Sequence, residues 1–327
     1  MAAAPRLPRP GLNPRIRKGE PMEIPRMRLC MLFLIISFIF TGCASTRTRM
    51  MVDGMKPLMQ KMHEATSRND DLELVRDAMP SLLLQLDGFI EASPENPYLL
   101  ANAAEAYMGY AFLFVEENDR DRARGLYFKA KEYALRSLKL NKAFAEGFAQ
   151  DDIGVFARSL QSIDEEDIGS LYIATNAWLQ YIGVSFADDS SVLDDLPKVE
   201  AMIDRALEID DTYYHGGLHA LLGVWYISKP EMFGGQPDQA QFHFREAFEI
   251  SESKYLLWQY LYARYYAFEM KDRALFVSTL EKILAAPDDI YPEEAFANKA
   301  VKMKAATLLE QTDDFFMAEP VRAGNRF

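Results

Sequence analysis

An apolar periodicity of three to four residues runs through this chain from about Leu58 almost to its end. The stretch from Leu99 through Ala103 and Tyr107 to Phe114 is typical, because its apolar residues fall on one face of a helix. Alternating apolar and polar patterns, which indicate strands, are rare by comparison. The sequence therefore predicts an all-α fold, in which about a dozen helices are joined by short loops.

The predicted helices are bounded by residues that cap or break helices. Asn118 and Asp119 precede one helix, Pro94 and Pro97 separate two others, and Pro237 stands at a first helical position. The pattern predicts helices over residues 72–90, 99–114, 119–138, 168–186, 193–209, 213–227, 237–250, 255–269, 273–285 and 292–311.

Two predicted helix ends resemble each other in sequence. Ala206 and Ala247 occupy matching positions 41 residues apart, and a fainter match surrounds Ala134. A tetratricopeptide unit repeats at about 34 residues, and the loop at 229–235 supplies the excess. Generic helix-end composition is the alternative explanation. The repeat interpretation predicts a tetratricopeptide-like array of stacked antiparallel helix pairs, an α-solenoid.

The first 43 residues have the pattern of a targeting segment. Arg26 and Arg28 precede an apolar run of about a dozen residues, which is too short to span a bilayer and suits a signal peptide. The run ends in Thr41-Gly42-Cys43, which resembles the lipobox of bacterial lipoproteins, although Phe40 stands where Leu is usual. The resemblance implies cleavage before Cys43 and acylation of its thiol.

These features divide the chain into five segments. Residues 1–26 are predicted to be a leader that is either non-native, with the true start at Met22 or Met27 rather than Met1, or disordered. The remaining segments are a lipoprotein signal peptide at 27–42, a lipidated tether at 43–57, a helical repeat domain at 58–316 and a C-terminal tail at 317–327.

The chain is acidic, with 36 basic and 49 acidic residues. Seven of the basic and two of the acidic residues precede Cys43, so the predicted mature chain holds 29 basic and 47 acidic residues, a net charge of −18. This charge argues against nucleic acid as a partner and against anionic membrane surfaces as a docking site beyond the lipid itself. Because Cys30, the other of the two cysteines, lies in the predicted signal peptide, the mature chain is expected to have no intrachain disulfide.

One stretch resembles a known family. It begins with Tyr-Tyr-His-Gly-Gly-Leu-His at residues 213–219, continues through Pro230 and Gly234-Gly235, and ends in a helix with Ala, His and Phe at residues 240–247. This stretch is similar to the signature of the TatT family, which comprises periplasmic, tetratricopeptide-type lipoproteins associated with tripartite ATP-independent periplasmic (TRAP) transporters. The resemblance extends over roughly residues 43–316.

The resemblance implies an accessory component rather than an enzyme. Such a component would dock the periplasmic substrate-binding (P) subunit of the transporter and bind an apolar or amphipathic organic ligand, without a cofactor. It would be a homo-oligomer, with a trimer as the expected form, anchored by its lipid to the outer or inner membrane. Two alternatives stay open. One is an envelope assembly scaffold without a ligand; the other is an envelope hydrolase of glycan or lipid, which requires a buried carboxylate or histidine with a shifted pKa.

His215 and His219 lie four residues apart, which is the spacing of two metal ligands on one helical face. No Glu follows His215 and no third ligand is evident nearby, so a helix contact or a cleft lining explains the pair better. His243 is predicted on a helix surface. Gly234-Gly235 could hold an anion, but without a Lys and a Ser or Thr the pair fits a tight turn better.

Acidic pairs and aromatic residues complete the candidates. Five pairs of Asp fall near predicted helix ends, where Asp commonly caps, and their spacing indicates neither a calcium loop nor catalysis. Most aromatic residues belong to the core, but Tyr and Trp combine an apolar body with a polar tip, which suits a cleft for an amphipathic ligand. The candidate cleft residues are Trp178, His215, His219, Trp225, Tyr226, Trp258 and Tyr262, and the candidate motif loop holds Pro230, Gly234 and Gly235.

Overall fold

The computed structural model describes residues 44–228 and 235–316, and these residues form helices and turns without a strand. Cys43, Pro230 and Gly234 lie outside the described residues. In chain order the α-helices are α1 Ala44–Asp53, α2 Lys56–Ser67, α3 Leu72–Ala92, α4 Pro97–Tyr110, α5 Arg120–Leu138, α6 Lys142–Phe148, α7 Ile153–Ser159, α8 Ile168–Ser185, α9 Leu196–Ile209, α10 Tyr213–Ser228, α11 Pro237–Ile250, α12 Leu257–Leu261, α13 Arg273–Ala285, α14 Ala295–Glu310 and α15 Thr312–Phe315.

The all-α prediction is confirmed, and each of the ten predicted helices is present. The capping residues act as the sequence predicts: Asp119 Oδ1 accepts the backbone N–H of Arg122 at 3.0 Å, and Pro237 begins α11. Two of the acidic pairs also cap, because the carboxylates of Asp152 and Asp189 accept backbone N–H groups of the residues that follow them.

Five of the described helices, α1, α2, α6, α7 and α15, lie outside the ten predicted ranges. α6 and α7 each span seven residues, too few to show a helical period, and they begin at the caps Asn141 and Asp152. α1 lies over part of the segment predicted as a tether. Apart from Val52, its described side chains are exposed, so the helix has no buried stripe that a pattern search could find.

Neighbouring helices pack closely because small residues lie at their contacts. α5 packs against α4 and α8, α8 packs against α9, and α10 packs against α11. Ala134, Ala206 and Ala247, which carry the sequence matches, are all fully buried. A side chain of one carbon lets two helix backbones approach closely, and these are the positions that the sequence matches singled out.

α14 brings the end of the described chain back to its beginning. It packs against α13 and also against α2 and α3. Its buried Lys304 donates to the carbonyl oxygen of Phe112 at 3.0 Å and to the Glu117 carboxylate at 2.6 Å. In an open solenoid each repeat contacts only its neighbours. The tetratricopeptide-like solenoid therefore stays a prediction, since these contacts depart from that rule.

Two apolar cores meet beside a π-helical turn. The larger core fills the space among α3, α4, α5, α8 and α9, and the smaller lies around Phe276 and Leu280. α4 continues into the π-helical turn Ala111–Val115, where Phe112 packs against both cores and lies edge-on to Tyr260, with ring centroids 6.4 Å apart. α12 continues likewise into the π-helical turn Tyr262–Ala267. Turns of this kind are frequent at functional sites.

Candidate ligand site

Three consecutive residues at the start of α10 adopt left-handed backbone angles. The φ angle is 51° at Tyr214, 58° at His215 and 78° at Gly216. For residues other than glycine this conformation costs about 1 kcal/mol or more each, so the surrounding structure must hold Tyr214 and His215 in place. Strain of this kind is concentrated at binding sites and switches.

Gly216 makes the left-handed turn possible. A positive φ is easily reached by glycine, and a Cβ added at Gly216 would lie 3.1 Å from the Cβ of Ile250 and 3.2 Å from the Cα of Ala247. Its N–H donates to the carbonyl oxygen of Thr212 at 3.1 Å. Both the backbone angle and the close approach of α11 therefore require glycine here.

The turn places Tyr214 and His215 among side chains of other helices. Tyr214 stacks on Tyr172 of α8, with ring centroids 5.1 Å apart, and a hydrogen bond joins its hydroxyl to that of Tyr255. The His215 ring lies 4.9 Å from the Tyr255 ring. We call this set the Tyr214–His215 cluster. It comprises Glu105, Tyr172, Tyr214, His215, Tyr255, Trp258, Tyr291 and Glu294.

His215 is held from three sides. Its Nε2 lies 3.3 Å from Oε1 of Glu294, and its Nδ1 lies 3.1 Å from the hydroxyl of Tyr291. The indole N–H of Trp258 donates to the His215 carbonyl oxygen at 2.8 Å. Nε2 thus faces a carboxylate oxygen, and Nδ1 faces a phenol hydroxyl. Both the ring and the strained backbone are thereby fixed.

Glu105 brings a second carboxylate to the cluster from α4. Among the described residues no Lys or Arg forms an ion pair with it. Burial raises the pKa of Glu105; His63 of α2 offsets part of this rise, the charge of Glu294 adds to it, and a hydrogen bond from Tyr214 again lowers it. The protein thus surrounds an acidic group without fully compensating its charge, which is a mark of functional sites.

The cluster is not sealed from solvent. Glu105 and Tyr214 are half-buried, and the side chains of His215 and Glu294 are 27% and 22% exposed. Burial raises the pKa of Tyr172 and of Tyr255, so both hydroxyls stay protonated and able to donate. Aromatic faces, hydroxyl donors and carboxylate acceptors together form the kind of surface that binds a small organic molecule.

A pair of histidines lies next to the cluster along α10. His219 Nδ1 and His243 Nδ1 of α11 are 2.9 Å apart, and His243 stacks on Tyr226 with ring centroids 5.5 Å apart. Burial lowers the pKa of His219, and burial together with the His219 charge lowers the pKa of His243 to about 4. Two predictions are wrong here. His215 and His219 do not share a regular helical face, because the left-handed turn intervenes, and His243 is half-buried rather than on the surface.

The predicted cleft residues fall into separate places. His215 and Trp258 belong to the Tyr214–His215 cluster. His219 and Tyr226 surround His243, and Tyr262 stacks on Tyr266 with ring centroids 4.7 Å apart. The remaining two are Trp225, which lies in the larger core, and Trp178, whose indole N–H donates to Asp195 at 3.0 Å. The structure therefore does not bring the seven candidates together, and their role in binding stays a prediction.

Of the candidate motif loop only Gly235 is described, as a half-buried residue just before α11.

Five acidic or phenolic members of the cluster escaped the sequence analysis: Glu105, Tyr172, Tyr255, Tyr291 and Glu294. Glu105 carried a usable signal, because it is the only charged residue between Pro97 and Val115. A lone carboxylate in an otherwise apolar helix must find a polar partner or a cavity. Tyr291 and Glu294 stand before α14, and nothing in their local pattern distinguishes them from surface residues.

Comparison with known proteins supports the family resemblance that the stretch at 213–247 indicated. The family model described as TRAP transporter T-component matches residues 68–316. The chain belongs to this family. An uncharacterized protein of Treponema pallidum (strain Nichols) is 23% identical over 266 residues, which cover 77% of this chain and 82% of that protein. Membership indicates an accessory role in association with a TRAP transporter, at the cell envelope.

Two further searches of the described residues bear on the site. Within residues 44–228 and 235–316, no helix is long and apolar enough to cross a membrane. The same residues contain no group of three or more His, Cys, Asp or Glu side chains placed to hold a metal ion.

Proposed function

We propose that this T-component is an extracytoplasmic lipoprotein that docks the periplasmic substrate-binding subunit of a TRAP transporter. The family match over residues 68–316 supports the transporter association. The signal-peptide pattern that ends at Cys43 supports a lipid anchor, which would hold the helical domain at a membrane surface where the binding subunit delivers its cargo. Association into a homo-oligomer, with a trimer as the expected form, is part of the proposal.

The proposed ligand site is the Tyr214–His215 cluster, and the strained turn at Tyr214 and His215 is the observation that carries it. A fold retains such strain where it positions side chains for a purpose. Here it directs a phenol and an imidazole toward Glu105 and Glu294. The expected ligand is an amphipathic organic molecule, whose apolar part would lie on the tyrosine rings and whose polar part would meet the carboxylates and hydroxyls.

Docking is tested by a pull-down with the acylated protein, solubilised in mild detergent. The bait should recover the substrate-binding subunit encoded beside the TRAP membrane subunits. Recovery of none of that subunit, from cells in which it is abundant, contradicts the docking proposal. A Cys43→Ser variant serves as control: it lacks the acyl group but should still bind the purified subunit, because the anchor and the docking surface are separate.

Ligand binding is tested by native mass spectrometry of the protein purified without denaturation. A co-purified organic molecule should be present in the wild type and lost in Glu105→Gln and Tyr214→Phe, which keep the shape of each side chain. Trp178→Phe is a matched control, since Trp178 lies outside the cluster and bonds Asp195. Retention of the molecule in all three variants would place its site elsewhere.

One observation favours the scaffold alternative. The rings of Tyr172 and Tyr214 already stack at 5.1 Å, so the cluster supplies part of its own packing. If no molecule accompanies the purified protein, and soaking with candidate organic acids and amines leaves its melting temperature unchanged, the scaffold alternative is preferred. The hydrolase alternative required a buried carboxylate or histidine with a shifted pKa. Glu105 has a raised pKa but is only half-buried, and family membership favours a binding role for this residue.

A further inference from the structure

The N-terminal helices α1 and α2 carry a charge opposite to that of the rest of the chain. Residues 47–68 hold five basic residues and two acidic ones, whereas residues 69–327 hold 24 basic and 45 acidic. The five are Arg47, Arg49, Lys56, Lys61 and Arg68. The whole-chain charge, which argued against an anionic surface as partner, therefore does not describe this end of the molecule.

α2 also presents an apolar stripe to solvent. Leu58 and Met62 are 56% and 50% exposed, and Ala65 continues the stripe at the next turn of the helix. An adjacent side of α2 packs on the protein through Met59, which contacts the larger core. In α1, Met50 and Met51 are 72% and 67% exposed. Both consecutive helices thus expose large apolar side chains, and exposed apolar surface of this kind marks interaction sites.

Cations stand directly beside this stripe. Lys61 precedes Met62 and its side chain is 74% exposed. Glu64 is shared by Lys61 at 2.8 Å and Arg68 at 3.0 Å, so one carboxylate faces two cations. Arg49 pairs with Asp53 at 3.8 Å and with Glu95 at 3.4 Å, all on the exposed surface. Exposed pairs of this kind are weak and readily exchange partners, so the positive charge remains available to a larger anionic surface.

We propose that α1 and α2 lie on the surface of a lipid bilayer that contains anionic headgroups. Apolar side chains flanked by Lys and Arg on one short helix are the chemistry of interfacial membrane helices. Chain continuity supports the same occupant, because α1 begins at the residue after Cys43. The surface would hold the T-component close to the membrane rather than at the end of a loose tether. This inference rests on the proposed membrane anchoring and deepens it, yet it can be tested without the acyl group on Cys43.

The test uses the mature chain with Cys43→Ser, so that no acyl group contributes. Co-sedimentation should show binding to vesicles of phosphatidylglycerol and phosphatidylethanolamine, decreasing with added salt, and far less binding to phosphatidylcholine vesicles. The double variant Lys61→Glu/Met62→Glu should lower the affinity by about tenfold. Leu84→Glu is the matched control, because Leu84 is 72% exposed but lies on α3; it should bind as the parent does. Circular dichroism checks that each variant is folded.

Two results would overturn the proposal. One is equal binding, or none, to the two kinds of vesicle. The other is self-association of the parent chain that the Lys61→Glu/Met62→Glu variant abolishes while vesicle binding is absent, which would assign the stripe to a second copy of the chain. Mass spectrometry of the wild-type protein separately reports whether Cys43 is acylated, so failure of the anchor and failure of the surface are distinguishable.

Discussion

Two carboxylates in this protein are surrounded by tyrosines, yet only one is balanced by a cation in contact. Asp87 of α3 accepts hydrogen bonds from the Lys129 ammonium at 2.6 Å and from the hydroxyls of Tyr107 and Tyr133 at 2.8 Å each. Burial acts to raise the pKa of Asp87, but the three hydrogen bonds together outweigh it and lower that pKa. The same network raises the pKa of Lys129 above its ordinary value.

For Glu105, burial outweighs the hydrogen bonding and charges that lower the pKa. Its partners are the Tyr214 hydroxyl and the more distant His63, and burial prevails, so that its pKa is raised. The same residue types thus form a saturated ion-pair network around Asp87 and an incompletely matched one around Glu105. A matched network stabilises the fold, whereas an unmatched group retains capacity to bond a ligand. This difference is the physical reason for placing the candidate site at the Tyr214–His215 cluster.

The largest effect is expected at the backbone of the cluster. Gly216→Ala should lower the free energy of unfolding by about 2–4 kcal/mol, because alanine disfavours the positive φ and its Cβ meets Ile250 and Ala247. Urea titration measures the change. The Asp87 network should be unaffected, as reported by the Tyr133 hydroxyl, whose pKa is raised to about 12 first by burial and then by Asp87. A loss below about 0.5 kcal/mol would mean that the turn is not strained.

Removal of the Asp87 charge should cause the next largest loss of stability. Asp87→Asn should cost about 1–2 kcal/mol at neutral pH, since it leaves the Lys129 ammonium with tyrosine partners alone. Because the folded pKa of Asp87 is lowered, its contribution is present above the unfolded pKa and is lost as pH falls through the folded pKa. The cost of the substitution should therefore vanish in strong acid. A cost independent of pH would show that the charge of Asp87 does not stabilise the fold.

The substitution Glu105→Gln should affect stability in the opposite direction from Asp87→Asn. A carboxyl with a raised folded pKa contributes stability that is present below its unfolded pKa and lost as pH rises through the folded pKa. Relative to the wild type, the variant should thus change by less than about 1 kcal/mol in acid and gain stability as the pH is raised. Thermal melts in acid and at higher pH measure both of these changes. A variant that loses stability at neutral pH, as Asp87→Asn should, would remove the distinction between the two networks.

The His219–His243 pair provides a third pH-dependent contribution to stability, from two side chains that would carry the same charge. The folded pKa of His243 is lowered to about 4, first by burial and then by His219, so its contribution is present above the ordinary value of 6.5 and lost as pH falls toward 4. The partial exposure of the ring limits the effect to about 1–2 kcal/mol. His243→Phe should flatten the stability profile over that interval. Proton NMR of the imidazole should give a midpoint near 4 in the wild type, and a midpoint near 6.5 would contradict the coupling.

The variant Gly125→Ala serves as the control for Gly216→Ala. Gly125 lies inside α5, and no atom stands within 4 Å of a Cβ added there. Gly125→Ala should therefore stabilise the protein by about 0.5–1 kcal/mol through helix propensity alone. The two glycine substitutions differ only in backbone angle and space, so opposite signs in urea titration would attribute the Gly216 effect to the left-handed turn. Equal signs would remove that explanation.

Periodicity in the sequence was sufficient for the helices but not for the site. The long helices α3, α5, α8 and α11 follow from apolar spacing and from caps such as Asp119, because both are local signals. Small buried residues such as Ala206 and Ala247 were predictable for the same reason. The contacts of α14 with α2 and α3 join residues far apart in the chain, and no local pattern encodes them.

The site was predicted only in part. The stretch 213–219 was singled out by its residues, but a helical period assigned His215 and His219 to one face, and the left-handed turn removes His215 from it. Glu105 and Glu294 reach the cluster through tertiary packing, so their proximity to His215 could not be read from spacing. Trp258 was predicted as a cleft residue and does contact the cluster, through its bond to the His215 carbonyl.

The contrast between the two carboxylates can be measured in a single experiment. Carbon-detected NMR of the side-chain carboxyl groups, assigned with Asp87→Asn and Glu105→Gln, would follow both residues in one pH titration. Glu105 should titrate above its ordinary value of 4.5, and Asp87 should titrate below its ordinary value of 3.8. A Glu105 pKa at or below 4.5 would show that its charge is compensated, and would contradict the placement of an unmatched, ligand-ready carboxylate in the Tyr214–His215 cluster.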